Sequence, residues 1–184
     1  AEINYLCVHK KLRAKRMAPV LIKEITVELI LNKFVAVYTA GVEVPTPVTS
    51  ARYWHRNINY KKLVDIKFTG VKPGLTLAGQ QKYYKLPDTT TIKGLRPILK
   101  KDFKDVEILL TLILNNSYSL GLQLDEIVRT FTPRENVVYA YVVQNDDGVI
   151  TNLISFYNLP SQILKSDKHT ELKAAYSYYM VPSE

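Results

Sequence analysis

Apolar residues along the chain fall into short β-type runs that alternate with stretches of helical spacing. Runs rich in β-branched and aromatic residues predict strands, whereas apolar residues three and four positions apart predict helices. The predicted strands cover residues 3–8, 34–38, 49–55, 94–99, 136–144, 149–157 and 172–181. The predicted helices begin near residues 18, 59, 102 and 122.

Turn and cap residues mark several boundaries between these elements. Pro19 suits the first turn of a helix, and Asn59 and Asp102 can cap the two helices that follow. Asn145-Asp146-Asp147-Gly148 ends in the Asp-Gly pair that is typical of a hairpin turn. Residues 69–85 are predicted to be irregular structure, and residues 86–93 a linker. Pro160-Ser161 is predicted to start a short turn or helix.

The order of these elements predicts an α/β protein with a mixed sheet covered by helices. The segment from residue 94 onward has the pattern of the beginning of an α/β unit, and the segment from residue 1 has that of the end of a similar unit. We therefore expect two related halves, 1–85 and 86–184, each of them incomplete in this sequence.

Five cations lie between the first predicted strand and the first predicted helix: Lys10, Lys11, Arg13, Lys15 and Arg16. Because a helix N-terminus carries partial positive charge, an exposed cation there costs about 0.3–1 kcal/mol. A phosphate or pyrophosphate bound to the N–H groups of the first helical turn would explain these cations. A solvated basic loop explains them without a ligand, and the charge pattern leaves both interpretations open.

Composition narrows the classes of partner and compartment. The net charge of +8 and the pI near 9.4 favour an anionic partner: a nucleotide, a nucleic acid or an anionic membrane surface. The single cysteine, Cys7, excludes an internal disulfide and is typical of a reducing compartment. The His, Cys, Asp and Glu residues show no spacing typical of metal ligands, so we expect no metal site.

The run Glu2-Ile3-Asn4-Tyr5-Leu6-Cys7-Val8-His9-Lys10 closely resembles the signature of the N-myristoyltransferase (glycylpeptide N-tetradecanoyltransferase) family, which usually has Phe at the position of Tyr5. The likeness covers essentially the whole chain. It continues through residues 11–16, 18–26, 38–41, 52–56, 94–97, 155–157, 159–161 and 174–176. The resemblance implies an acyl-CoA N-acyltransferase (GNAT-like) fold of two pseudo-symmetric halves. In the family the first half binds myristoyl-CoA, and the second provides much of the peptide groove.

The resemblance implies transfer of myristate from the thioester of myristoyl-CoA to the amine of an N-terminal glycine. In the family, backbone N–H groups matching those of Tyr5 and Leu6 bind the developing oxyanion, a type of contact often worth about 2.7–4 kcal/mol. A base must also take a proton from the glycine ammonium. In the family this base is the C-terminal carboxylate of the full-length chain, with a threonine matching Thr39 nearby.

Two binding surfaces follow from the same resemblance. The acyl-CoA is expected to contact Tyr5, Leu6, Cys7, Val8, Arg13, Ala14, Lys15, Arg16, Met17 and Ala18. Related acetyltransferases favour glycines in this phosphate-binding loop, where the chain has Arg16 and Ala18. The peptide groove is expected to include Asn4, Tyr53, His55, Phe68, Ser161, Leu172 and Tyr176.

The resemblance also implies a cytoplasmic monomer that binds myristoyl-CoA and proteins with an N-terminal glycine, without a metal or a nucleic acid. Peripheral association with ribosomes or membranes is part of the same expectation. The sequence ends before the family's Gly-rich segment and terminal carboxylate, so we expect a fragment that is inactive in isolation. Two alternatives remain: a non-catalytic CoA- or acyl-binding module, and a nucleic-acid binder suggested by the charge and the 13 tyrosines.

Overall fold

The chain divides between His55 and Arg56 into two units, Ala1–His55 and Arg56–Glu184. The computed structural model describes residues 1, 3, 6–114 and 122–182, and of residue 114 the backbone alone. The assignment of residues 1–85 and 86–184 to the two halves of one fold stays a prediction.

The first unit is built on one long helix. A 3-10 helix, Lys10–Lys15, leads through Arg16 into α1, Met17–Leu31. Pro19 lies in the first turn of α1, as predicted. The helix ends at Asn32, whose backbone and side-chain N–H groups both donate to the Glu28 carbonyl. Their donor–acceptor distances are 3.1 and 2.8 Å, so this carbonyl is satisfied although no further turn follows.

The strands predicted at 3–8, 34–38 and 49–55 are not found among the described residues of this unit. The backbone at residues 1 and 3 does run beside residues 35–37. The Val37 N–H donates to the Ala1 carbonyl, and the Ile3 N–H donates to the Val37 carbonyl, both at 2.9 Å. A β-type sequence needs a neighbouring strand to pair with, and the described part of this unit offers this one short ladder. The apolar runs therefore remain exposed.

The second unit begins with a small pair of helices, α2 (Tyr60–Asp65) and α3 (Leu77–Tyr84). The prediction of α2 is confirmed, because Asn59 caps it by accepting a 3.2 Å hydrogen bond from the Lys62 N–H. The prediction of irregular structure over 69–85 is wrong for α3. Thr76 caps this helix through the Gly79 N–H, and Gly79 weakened the helical signal of the sequence.

The main sheet of the second unit has the strand order β1-β2-β3-β6. Its strands are β1 (Leu95–Pro97), β2 (Val138–Gln144), β3 (Ile150–Asn158) and β6 (Ala175–Val181). All three pairings are antiparallel, and the predicted hairpin between β2 and β3 is confirmed. A second ladder joins β4 (Ser161–Gln162) to β5 (Glu171–Leu172), so the turn or helix predicted at Pro160-Ser161 is wrong.

Two helices, α4 (Phe103–Leu114) and α5 (Leu124–Phe131), pack on this sheet and close the core. Inward positions alternate along β2, as the period of two in the sequence predicts. On β3 the buried residues Leu153 and Ser155 follow the same period, but Ile150 lies three residues before Leu153 because the pairing with β2 shifts register there. The core consists of Ile98, Phe103, Val106, Leu110, Ile127, Phe131, Ala140, Val142, Ile150, Leu153 and Val181. The predicted α/β class is thus confirmed. In the described part of the chain, no helix has the length and apolar character needed to cross a membrane.

Asp102 does not cap α4 as predicted. It ends a 3-10 turn, Lys100–Asp102, and its carboxylate accepts a 2.7 Å hydrogen bond from the Leu99 N–H. The Arg96 guanidinium donates to the same carboxylate at 2.6 and 2.9 Å, and its Nε–H donates to Gln144 Oε1 at 3.1 Å. The bidentate contact with Arg96 lowers the pKa of Asp102. This buried pair ties β1 to β2 and to the start of α4.

Candidate functional site

The basic loop, residues 10–18, brings the predicted phosphate-binding residues together at the start of α1. Arg16 separates the 3-10 helix from α1 and has φ +53° and ψ 39°, a left-handed conformation. Glycine adopts this conformation without strain, whereas an L side chain there costs energy. A glycine at this position, as the family resemblance leads one to expect, would adopt the turn without that cost. In this chain the same turn displays the Arg16 side chain.

Nothing described in the first turn of α1 offsets its positive end. No side chain caps this turn, and the turn contains no acidic residue. Instead Arg13 and Lys15 lie in the last turn of the preceding 3-10 helix. The Nε–H of Arg13 donates to the Val8 carbonyl at 3.2 Å, which holds the guanidinium beside the loop. Unbonded amides and cations at one helix start are the features that favour binding of a phosphate group.

Of the other residues predicted to contact acyl-CoA, Leu6, Cys7 and Val8 precede this loop, whereas Ala14, Met17 and Ala18 belong to it. Leu6 and Cys7 are exposed, Val8, Met17 and Ala18 are half-buried, and Ala14 is exposed. Tyr5, the other predicted oxyanion donor, and Asn4, predicted in the peptide groove, lie outside the described residues. The hydrogen bond from the Ile3 N–H to the Val37 carbonyl joins the segment that leads to Leu6 with the one that leads to Thr39. The described pairing of these two segments ends at Ile3 and Val37, and the placement of Leu6 relative to Thr39 stays a prediction.

The predicted peptide-binding residues are divided between the two units. In the second unit, Ser161 of β4 lies directly opposite Leu172 of β5. An open depression of about 310 Å³ beside them is lined by Pro160, Ser161, Gln162, Thr170 and Glu171. The Leu159 N–H donates to the Ala174 carbonyl at 2.8 Å, which holds this ladder against the start of β6.

Tyr176, on β6, stacks on Tyr157 with ring centroids 5.5 Å apart. Phe68 follows α2 and is 48% exposed, and its N–H donates to the Leu63 carbonyl at 2.9 Å. Tyr53 and His55 end the first unit and are exposed. The structure thus brings Ser161 and Leu172 into direct opposition and places Tyr176 on the neighbouring strand, but no described contact joins these three to Phe68.

Sequence reasoning missed three buried polar side chains of the second unit: Tyr60, Gln80 and Ser155. Tyr60 and Gln80 are joined by a 2.5 Å hydrogen bond between α2 and α3, and burial raises the pKa of the Tyr60 phenol. Ser155 lies fully buried in β3. The signal for Ser155 was present in the sequence, since alternation from Leu153 places a polar residue at an inward position. Among the described residues, no three His, Cys, Asp or Glu side chains gather in a way that could hold a metal ion.

Comparison with known proteins gives matches over both units. The family model for the N-terminal domain of myristoyl-CoA:protein N-myristoyltransferase matches residues 1–51, and the model for its C-terminal domain matches residues 65–184. Glycylpeptide N-tetradecanoyltransferase 2 from Bos taurus is 47% identical over all of this chain and 37% of its own length. The enzyme from Plasmodium falciparum (isolate 3D7) is 46% identical over 98% of this chain and 44% of its own length.

A solved structure agrees with these matches. The crystal structure of Saccharomyces cerevisiae N-myristoyltransferase with bound myristoyl-CoA superposes with a TM-score of 0.89 at 39% identity. The superposition covers 98% of this chain and 44% of the yeast chain. The chain thus spans about two fifths of the length of the relatives it matches. With both domain models and the fold matched, the chain belongs to the myristoyl-CoA:protein N-myristoyltransferase family and has its acyl-CoA N-acyltransferase (GNAT-like) fold.

Proposed function

We propose that this chain provides the acyl-CoA-binding loop and part of the peptide-binding surface of a glycylpeptide N-tetradecanoyltransferase. The observation that carries the proposal is the cation-rich start of α1, which no side chain caps. The bound myristoyl-CoA of the yeast relative supports the identity of the anion. The relatives are named as acyltransferases, which favours this function over a non-catalytic acyl-binding module or a nucleic-acid binder.

The basic loop suits a pyrophosphate for two reasons. The amides of Met17 and Ala18 lie in the first turn of α1, where N–H groups lack partners within the helix. Pro19 has no N–H, so these two amides are the donors of the first three helical positions. Arg13, Lys15 and Arg16 add charge-assisted contacts, each of a kind worth about 1.5–3 kcal/mol. A bound phosphate would also remove the mutual repulsion of these cations.

The transfer step follows the chemistry that the family resemblance implies. The backbone N–H groups of Tyr5 and Leu6 would donate to the thioester oxygen as it gains negative charge. The deprotonated amine of the N-terminal glycine attacks the thioester carbon, an amide bond forms, and the C–S bond breaks. The proton that the nitrogen loses as it becomes an amide goes to the departing sulfur, so CoA is released as a thiol. The proton of the glycine ammonium goes to a base, which in the family is the terminal carboxylate. Thr39 would lie near that base.

The peptide would bind on the predicted groove residues, with Ser161, Leu172 and Tyr176 on the second unit. The proposal also includes Asn4, Tyr53, His55 and Phe68, on the basis of the resemblance alone. A cytoplasmic monomer with peripheral association to ribosomes or membranes belongs to the same proposal. Inactivity of the isolated 184-residue chain stays a prediction.

Calorimetric titration of myristoyl-CoA tests the proposed phosphate contacts. We expect the triple variant Arg13→Ala, Lys15→Ala, Arg16→Ala to bind at least about tenfold more weakly, a loss of about 1.4 kcal/mol. The loss should shrink as salt rises, because exposed charges are screened.

Two controls separate this effect from a general loss of charge. The variant Lys61→Ala, Lys72→Ala, Lys82→Ala removes three exposed or half-exposed lysines of the second unit and should bind within about twofold of the parent chain. S-myristoyl-pantetheine lacks the nucleotide and its phosphates, so its affinity should not respond to the triple variant. Equal affinity of the parent and the triple variant for myristoyl-CoA would overturn the proposed site.

A further inference from the structure

An extra residue interrupts the pairing of β3 with β6. Ile154 pairs with Met180 and Phe156 pairs with Ser177, so one residue of β3 and two residues of β6 lie between these pairs. Tyr178 and Tyr179 together lie opposite the single residue Ser155. This arrangement is a β-bulge, which bends a strand and leaves one residue outside the regular ladder.

The buried hydroxyl of Ser155 replaces the missing ladder partner. Its oxygen accepts a 2.9 Å hydrogen bond from the Tyr179 N–H. The same hydroxyl donates a 3.0 Å hydrogen bond to the Tyr179 carbonyl. Ser155 is 0% exposed, so water has no access to its hydroxyl. This single side chain therefore bonds both backbone groups of the bulged residue.

The bulge decides which β6 side chains share a face of the sheet. A regular ladder that kept the observed Leu153–Val181 pair would place Ser177 opposite Tyr157. In the structure Tyr176 occupies that position and stacks on Tyr157. A shift of one residue moves every later side chain to the opposite face. Tyr176 therefore owes its position beside Tyr157 to the extra residue.

The rings on this face form a connected aromatic cluster. Tyr178 contacts Tyr157 edge-on at 5.3 Å, and Tyr179 contacts Phe131 of α5 edge-on, also at 5.3 Å. Tyr178 and Tyr179 contact each other with ring centroids 4.6 Å apart. Strict alternation would place Tyr178 and Tyr179 on opposite faces, whereas the bulge turns both toward the same cluster.

We infer that Ser155 is a positioning residue of the peptide site, acting through the bulge on Tyr176. This inference rests on the proposed function, in which Tyr176 contacts the glycine-first peptide. Ser155 itself touches no substrate. Its hydroxyl holds the extra residue in β6. The extra residue in turn keeps Tyr176 stacked on Tyr157, on the strand that follows Leu172 of β5.

Loss of the hydroxyl is tested with Ser155→Ala and with the near-isosteric Ser155→Cys, whose thiol is a weaker hydrogen-bonding group. Ser177→Ala is the matched control, because it removes an exposed serine hydroxyl from the same sheet outside the bulge. Peptide affinity is measured by fluorescence anisotropy with a labelled glycine-first octapeptide, at a saturating concentration of a non-hydrolysable thioether analogue of myristoyl-CoA. Affinity for that analogue is measured separately by calorimetry.

We expect Ser155→Ala to weaken peptide binding about tenfold, or about 1.4 kcal/mol, with affinity for the analogue within about twofold. Ser155→Cys should give an intermediate loss of peptide affinity. If Ser155→Ala does not fold, Ser155→Cys decides whether the hydroxyl affects peptide binding. Ser177→Ala should bind both ligands like the parent chain. Unchanged peptide affinity in the folded serine variants, or an equal loss for both ligands, would overturn the inference.

A structural measurement separates this inference from the proposed function. Ring-to-ring NMR contacts between Tyr157 and Tyr176, and slow exchange of the Tyr179 amide, should be present in the parent and in Ser177→Ala. Both should be lost in Ser155→Ala. If the parent binds no glycine-first peptide, the proposed function fails, and these NMR signals still decide whether Ser155 positions Tyr176. If these NMR signals persist in Ser155→Ala, Ser155 does not position Tyr176.

Discussion

The two units of the chain differ in where they keep their apolar residues. No described residue of 1–55 is buried, whereas the second unit holds a continuous core between its sheet and two helices. On α1, large apolar side chains stay exposed: Val20, Leu21, Ile22, Ile25, Val27, Ile30 and Leu31. Burial of apolar area is the main source of folding free energy. The second unit therefore carries its own stability, and the described part of the first unit supplies little.

The two units also differ in the charges at the start of a main helix, α1 in the first unit and α4 in the second. At the start of α1, cations lie where a helix prefers anions. At the start of α4, Asp105 lies in the first turn, and Asp102 precedes it with its charge balanced by Arg96. At the start of α4 the charge of Asp102 is compensated within the fold, whereas the described residues at the start of α1 include no acidic partner for the cations. The contrast concerns these two helix starts, and it is the reason why the proposed phosphate site is assigned to α1 and not to α4.

The largest effect is expected from breaking the buried pair of the second unit. Arg96→Ala leaves the Asp102 carboxylate, which is 3% exposed, without its bidentate partner. Removing one partner of a buried pair typically costs about 3–5 kcal/mol. Urea denaturation monitored by circular dichroism measures this loss.

The exposed pair Lys93–Asp146 is the matched control for this variant. Its atoms approach to 2.7 Å, but both side chains are 82% exposed. We expect Lys93→Ala to change the free energy of unfolding by no more than about 0.5 kcal/mol. Similar losses for the two variants would contradict the distinction between buried and exposed pairs.

A smaller, pH-dependent effect follows from the same pair. The Arg96 contact lowers the pKa of Asp102 in the folded state, so the folded protein holds the ionised carboxylate more strongly than the unfolded chain does. This contribution is fully present above the unfolded pKa of about 3.9 and is lost as the pH falls through the lower folded value. Unfolding free energies between neutral and acidic pH measure it. The part of the acid destabilisation due to Asp102 should be absent in Asp102→Asn, and an unchanged pH profile in that variant would contradict this assignment.

The sequence predicted best the elements whose signals are local. The β2–β3 hairpin follows from alternation and an Asp-Gly turn, and α2 follows from its Asn59 cap. Prediction failed where pairing decides the structure. The runs at 34–38 and 49–55 have β-type composition but no described partner strand. The bulge opposite Ser155 depends on the register of two strands more than twenty residues apart, as the Ser155–Tyr179 separation of 24 shows.

The structure of the candidate site could also be predicted only in part from local sequence signals. The cations of the basic loop were visible as charges, but the left-handed turn at Arg16 was not, because the sequence did not predict the 3-10 helix that ends there. The roles of Leu6, Thr39 and the groove residues come from family resemblance, since their residue types alone predict strand ends and surface aromatics. The ion pair of Arg96 and Asp102 was missed because Asp102 also fits a helix cap by sequence.

The central claim is that the start of α1 binds the phosphates of myristoyl-CoA. The most direct test is an NMR titration of the ¹⁵N-labelled chain with this ligand. The amides of Met17 and Ala18 should show large, saturable shifts, while the amides of Lys104 and Asp105 in the first turn of α4 should not respond. Saturable binding of myristoyl-CoA that leaves Met17 and Ala18 unshifted, or that shifts the two helix starts equally, would contradict the account.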